Sequence, residues 1–410
     1  MQFFKVKTVE ETFALIEDKI QAIEQTETRE LADALHFVLA EQVVAKENVP
    51  SFDRSTVDGY AVRAKDTYGS SESMPGFLDL VGEVKMGEVP PVEVTYGTAV
   101  YVPTGGMMPK GSDSVIMIEH CEDINQLLNT YKQIAPGENV IRTGEDIKEG
   151  ELLLSAGTKL RPQELGALAS LGITHVKVFR KVTVGYLSSG DEIVPYQTET
   201  LKEGQIRDIN YLTIAGLADG WNVEVVYGGI VRDDFAEFLD RAKLLYENTD
   251  CLILSGGSSV GAKDYTTDVI QSLGDPGVFV HGISIKPGKP TILAMADRKP
   301  VIGLPGHPAS AMIIFNLFGQ RILRKLQGER SEPKPERIFA KITKNIPSSM
   351  GRADYIRVRL FEKENEWWAE PIFGKSGLIT TLVRSDGIVE VSSEKEGITQ
   401  GDYVPVIPSR

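Results

Sequence analysis

Cysteine is scarce in this chain: two in 410 residues, Cys121 and Cys251, far apart in sequence. They cannot form a CxxC metal knuckle and give no basis for a disulfide framework, so a reduced, cytoplasmic chain is expected. Histidine is scarce too, with five scattered residues and no HExxH or HxH spacing, which argues against a zinc site ligated by protein. No apolar run reaches the roughly 18 residues that a membrane span needs. The opening MQFFKVKTVEETF turns acidic at once and does not read as a signal peptide. Basic excess is also missing. Lys+Arg number 44 against 58 Asp+Glu, for a formal net charge of −14. That excludes a general nucleic-acid binder and a polybasic membrane anchor. It does not exclude a small anion held in a local basic or amide-lined pocket.

What is present is ordinary globular composition, 41% hydrophobic and 25% charged, with length for several domains. Residues 8–24 read as a helix. Thr8 and Glu11 form a capping box, and Val9, Phe13, Ile16, Ile20 and Ile23 share a stripe. Residues 29–40 read as a second helix with Leu31, Leu35, Val38 and Leu39 inward. From about 48 to 145 short β-rich runs separated by Gly and Pro suggest a small β module. Helix returns at 161–172, so the module reads as an insertion into a helical frame (1–47 and 146–180). From 181 to 328 strands alternate with helices, which implies a mostly parallel sheet covered on both faces. The run KLQGERSEPKPER reads as a linker. Beyond it, 333–408 is strand-rich and reads as a terminal β-barrel or sandwich.

The sharpest local feature is CLILSGGSSVGAKD, 251–264. An apolar strand runs into Ser255, Gly256, Gly257 and Ser258, small residues whose N–H groups and hydroxyls suit a phosphate. The loop is neither Walker A nor GxGxxG. In an open α/β sheet ligands sit at the carboxyl ends of strands, where this loop falls. LSSGDE (187–192) adds Asp191 and Glu192 at another strand end. IKPGKP (285–290) holds Lys286 and Lys289 in a Pro-Gly turn between apolar flanks, as an anion clamp would. GLPGHPASAM (303–312) reads mainly as structure, with His307 a turn residue. In the β module, VPSFDRSTVDGYAVR (49–63), PTGGMMPKG (103–111) and RTGEDI (142–147) each read alone as ordinary loops.

In order, FDRSTVDGYAVR, PTGGMMPKGSDSVIMIE, GEDI, SSGDE, GQIRDIN, SGGSSVGAKDY, IKPGKP, GLPGHPASA and GRADYIRV resemble the molybdopterin molybdotransferases, the MoeA and gephyrin E-domain family, over nearly the whole chain. The resemblance implies a multidomain α/β plus β fold, with a molybdopterin-binding α/β domain at 181–328 and a C-terminal β-barrel. It implies a homodimer whose active site draws on both subunits. The implied activity is insertion of molybdate into adenylylated molybdopterin with release of AMP, aided by Mg²⁺. Residue by residue, the match gives roles to Asp58, Thr104, Asp146, Glu192, Asp233, Asp264 and Lys286 in catalysis. It assigns Ser255, Gly256, Gly257, Ser258, Lys289, Pro290, Arg352 and Ser376 to cofactor or molybdate binding, and Asp233, Asp264 and Glu192 to the metal. Molybdate is a tetrahedral dianion that needs cationic, hydroxyl and amide donors. Converging carboxylates would repel it, and a Mg²⁺ ion resolves that conflict. Many family members carry a further lysine where this chain has Gly282. The alternatives are a molybdopterin adenylyltransferase, which the α/β domain also resembles, and a gephyrin-like scaffold, for which the chain lacks an added domain or long linker.

Overall fold

In the computed structural model, residues 6–256, 265–330 and 336–409 are described, and the chain divides into two units. The smaller comprises Glu41–Ala156 and Pro162–His175; the larger takes the remainder.

The smaller unit is built on a six-stranded sheet in the spatial order 114–117, 59–62, 98–102, 76–83, 127–130 and 121–124. Tyr60, Val62, Ala99, Ile116 and Leu128 pack on one side and Ala61, Val100, Val102 and Val115 on the other. Alternation along each strand sends neighbouring side chains to opposite faces. Gly59 is required by close approach. A Cβ there would lie 2.0 Å from the Ile116 carbonyl oxygen.

In the larger unit, a second six-stranded sheet runs 223–231, 182–189, 251–255, 299–304, 292–296 and 276–281. The first four strands are parallel, and 292–296 pairs antiparallel with both of its neighbours, 299–304 and 276–281. Cys251 and Ile253 face one cluster with Val184, Tyr186, Ile214 and Ile302. Leu252 and Leu254 face the other with Phe238, Val269 and Val301. The strand is buried on both faces, which is why its sequence is an unbroken apolar run. The helix Phe235–Asn248 starts on Asp234, whose side chain accepts from the Glu237 N–H. A helix runs from Pro308 to Leu326, with a π-turn at Phe315–Gly319.

At the base of the sheet, Asp250 clamps two strands. Its carboxylate takes Arg180 at 2.6 and 2.7 Å and the Thr183 N–H at 2.9 Å. Burial raises its pKa, but these donors outweigh burial and hold the carboxyl below its ordinary value.

The C-terminal segment closes into a five-stranded barrel: 353–363, 366–371, 338–342, 403–408, 387–391 and back to 353–363. Ala340, Ile342, Val358, Ala369, Val389 and Val406 fill it.

The N-terminal region departs from expectation. Val9–Lys19 is a helix with the capping box in place. Residues 29–40, expected to be helical, are not. Thr26–Glu30 is a strand paired with His175–Phe179, and only Leu31–Asp33 makes a 3-10 turn. His36 takes φ +69°, and Leu39 bonds back to Thr158 and bridges Val178. Non-local pairing overrides helix propensity here.

Candidate active site

In the smaller unit three short loops gather. Arg54 and Ser55 pair with Ile141 and Val140, and Arg54 bridges Met107. Asp58 is exposed, and its Oδ1 accepts from the Thr104 N–H at 2.7 Å and the Thr104 hydroxyl at 3.1 Å. Two of the expected residues therefore meet directly, with Asp58 bracing the 103–106 turn. That turn is closed by the Gly106 N–H on the Pro103 carbonyl. Asp53, unassigned from sequence, does the same for the third loop. It accepts from the Thr143 N–H and hydroxyl at 2.7 and 2.8 Å and from Arg142 at 3.0 Å. Burial raises the Asp53 pKa, but the Thr143 and Arg142 donors lower it further, below the ordinary carboxylate value. Asp146 lies exposed on this loop, its N–H donating to the Val49 carbonyl.

In the larger unit, the carboxyl ends of the parallel strands carry the second group. Ser189 pairs in register with Val231, so the loops after these strands run side by side. Asp191 Oδ1 accepts from the Asp233 N–H at 3.2 Å. Glu192 is exposed and folds over Gly190, where a Cβ would lie 2.8 Å from its Oε2. Gly256 crosses the backbone of the neighbouring strand. A Cβ there would lie 2.1 Å from the Ser189 carbonyl oxygen, and its φ is +111°. Ser255 is buried beneath it. Gly257, Ser258 and Asp264 lie outside the described residues. Among the described residues, no three His, Cys, Asp or Glu side chains gather as a metal-holding group.

Below these loops lies a polar cluster that the sequence reading did not assign. Asp208 is 5% exposed and accepts from the Ser188 hydroxyl at 2.6 Å and the Tyr227 hydroxyl at 2.9 Å. Burial first, and then the Asp208 carboxylate, push the Tyr227 pKa up. Asn210 donates to the Gly306 carbonyl at 2.8 Å, while its Oδ1 and the Ser189 hydroxyl are buried without a hydrogen bond. Buried polar atoms of this kind mark places where a ligand or water completes the set. The signal in sequence was the polar stretch GQIRDIN, but its side-chain partners are non-local.

The third group joins the α/β sheet to the barrel. The short strand Ile285–Lys286 pairs in parallel with Ala353–Lys363, setting Lys286 opposite Asp354. The Asp354 side chain is fully buried. It takes Arg352 Nε at 2.8 Å and approaches Lys286 Nζ at 4.0 Å. Two expected anion ligands, 66 positions apart in sequence, thus share one carboxylate. Lys289 and Pro290 are exposed on the same turn, which packs through Gly288, φ +109°, against Ile314. Gly282 has φ +90°, a conformation that disfavours a lysine at this position. Ser376 meets His307, hydroxyl to Nδ1 at 3.1 Å, and its carbonyl accepts from the Ala309 N–H. His307 is a turn residue before the helix, as expected, with this added contact.

The cysteines carry none of this chemistry. Burial pushes the Cys121 thiol up to about 12 and raises Cys251 as well, so neither is a thiolate at neutral pH.

Three family models match in succession. Residues 7–172 match the MoeA N-terminal region (domain I and II), 185–325 a probable molybdopterin binding domain, and 340–409 the MoeA C-terminal region (domain IV). A molybdopterin molybdenumtransferase of Haemophilus influenzae is 35% identical over 94% of this chain and 94% of its own length. The chain belongs to the MoeA family. A putative molybdopterin biosynthesis protein of Methanocaldococcus jannaschii is 33% identical over 92% of this chain and 90% of its own. The crystal structure of a MoeA protein from Pyrococcus horikoshii superposes with a TM-score of 0.84 at 33% identity. That match covers 98% of this chain and 99% of the other. The MoeA match accounts for both units, and the Lys286–Asp354–Arg352 contact joins its molybdopterin-binding region to its C-terminal region.

Proposed function

We propose that this protein is a molybdopterin molybdenumtransferase. It inserts molybdate into adenylylated molybdopterin and releases AMP, in molybdenum cofactor biosynthesis. The observation that carries this reading is the convergence of Lys286 and Arg352 on Asp354. In an acidic protein, it makes a local cationic site of the kind that a tetrahedral dianion needs. Lys289 and Ser376 add an ammonium and a hydroxyl, and Pro290 shapes the turn. The small-residue loop that Ser255 and Gly256 open, with Gly257 and Ser258, suits the pterin's phosphate.

Mg²⁺ fits the donor set. The Asp191–Glu192 and Asp233 loops lie in contact, and Mg²⁺ typically takes one or two carboxylates together with substrate phosphates and water. Glu192, Asp233 and Asp264 would hold it; when bound it supplies charge neutralisation and polarisation of the phosphoanhydride. Asp58 fixes the Thr104 turn, and family resemblance gives Asp58, Thr104 and Asp146 catalytic roles. Lys286 stabilises charge that develops on the anions. Family resemblance supports a homodimer with an active site drawn from both subunits. Among the described residues no helix is long and apolar enough to cross a membrane.

The test supplies the purified protein with adenylylated molybdopterin, molybdate and Mg²⁺ and follows AMP. Release that depends on molybdate supports the reading. Adenylylation of molybdopterin from ATP instead would favour the adenylyltransferase.

A further inference from the structure

Asp354 holds an unusual place for a carboxylate beside an anion site. Its side chain is completely buried, at the point where the strand Ile285–Lys286 meets the barrel strand Ala353–Lys363. Arg352 Nε reaches its Oδ1 at 2.8 Å, Arg352 Nη2 its Oδ2 at 3.4 Å, and Lys286 Nζ the same Oδ2 at 4.0 Å. The two cationic side chains are themselves partly open, 37% and 58% exposed. The arrangement is an inner carboxylate with two outward-reaching cations, drawn from segments that only non-local pairing brings together. The backbone reinforces the register. The Ala353 N–H donates to the Ser284 carbonyl at 2.9 Å, and the Ser284 hydroxyl donates to the Gly351 carbonyl.

We propose that Asp354 is a positioning residue for oxyanion binding, orienting Lys286 and Arg352 as one clamp for a tetrahedral dianion. The inference rests on the molybdate reading above. Long cationic side chains lose rotamer freedom when they close on a ligand, and a site that fixes them beforehand avoids part of that loss. The shared carboxylate also offsets the repulsion between the two cations. It leaves the clamp with one net positive charge, whose remaining donors point away from a fully buried partner.

Pure electrostatics predicts the opposite of positioning. If Asp354 were only a nearby negative charge, its removal would strengthen the binding of a dianion. If it orients the clamp, removal weakens binding despite the more favourable charge.

The experiment titrates sodium molybdate into the full-length protein by calorimetry, without pterin, for wild type, Asp354→Asn, Lys286→Ala and the double variant. Alongside it, the KM for molybdate and kcat are measured separately. In Asp354→Asn we expect molybdate affinity to fall about tenfold, a difference of ~1.4 kcal/mol, with KM rising in parallel and kcat within about threefold. Lys286→Ala should weaken binding in the wild-type background and add little in the Asp354→Asn background. Unchanged or tighter binding by a folded Asp354→Asn overturns the proposal. Should Asp354→Asn not fold, Lys286→Ala and Arg352→Ala, at an exposed and a half-buried position, form a second cycle. Coupled losses support a shared clamp, and additive losses refute it. Absence of molybdate binding by the wild type overturns the molybdate reading, and the clamp with it. Intact wild-type binding beside an indifferent Asp354→Asn overturns the positioning role alone.

Discussion

Gly256→Ala places a methyl group where the backbone crossing leaves no room. The added Cβ would sit 2.1 Å from the Ser189 carbonyl oxygen and 2.9 Å from the Ser189 hydroxyl. A φ of +111° adds strain of about 1–3 kcal/mol for any L side chain. Relief requires the ends of the strands Val182–Ser189 and Cys251–Ser255 to separate. They are paired in parallel from Val184–Cys251 to Ser188–Ser255. The Gly256 N–H on the Leu304 carbonyl, already long at 3.5 Å, would go as well, at ~1 kcal/mol. Together these amount to a loss of about 2–4 kcal/mol, a large share of a typical domain stability of ~5–15 kcal/mol. Trp221 packs against Phe315 in the same unit, so tryptophan fluorescence in a urea titration should report a lower midpoint with little change in slope. Phosphate-bearing ligands should bind more weakly in the same variant. A midpoint that implies less than 0.5 kcal/mol of destabilisation (on the order of measurement noise for a benign surface change) would refute the argument that this loop position demands glycine.

Asp250→Ala should destabilise the larger unit by about 3 kcal/mol, since it strands the partly buried Arg180 guanidinium; chemical denaturation checks this. The Asp250 pKa is lowered in the folded state. Its contribution is therefore present above the unfolded carboxylate value and is lost as the pH falls below about 4. Asp250→Asn should flatten that acid limb, as seen in melts between pH 2 and 6 (roughly the window in which carboxylates titrate). Asp58→Ala removes both acceptor contacts to Thr104; amide hydrogen exchange at Thr104 should quicken about tenfold while global stability shifts by less than ~1 kcal/mol. Arg352→Ala should raise the molybdate requirement about tenfold with kcat little changed. An unchanged concentration dependence would remove Arg352 from the anion site.

Much of the architecture was legible because it is written in local patterns. The run CLILS ahead of SGG marked a strand buried on both faces, and the Thr8–Glu11 box marked a helix start; both hold. The segment 29–40 misled because its apolar spacing suits a helix, whereas its partners lie near residues 157–160 and 175–179. No local signal announces those partners. For the site, sequence named Lys286 and Arg352 but passed over Asp354, which in RADYIRV looks like one more polar residue on a strand. Its importance comes from a parallel pairing across 68 positions. Asp208 was missed for the same reason: Ser188 and Tyr227 reach it from two separate strands. Asp58 and Thr104 were each assigned, but their direct contact required the turn at Gly105 and Gly106 to be seen. Non-local contacts that convert ordinary polar residues into a site are what the linear pattern omits.

The most direct test of the account is AMP release from adenylylated molybdopterin by the purified protein, measured with molybdate present and absent. Release is expected to require molybdate, to saturate with it, and to be lost when Lys286 and Arg352 are both replaced by alanine. Release that proceeds equally without molybdate, or that survives the double replacement, would contradict it.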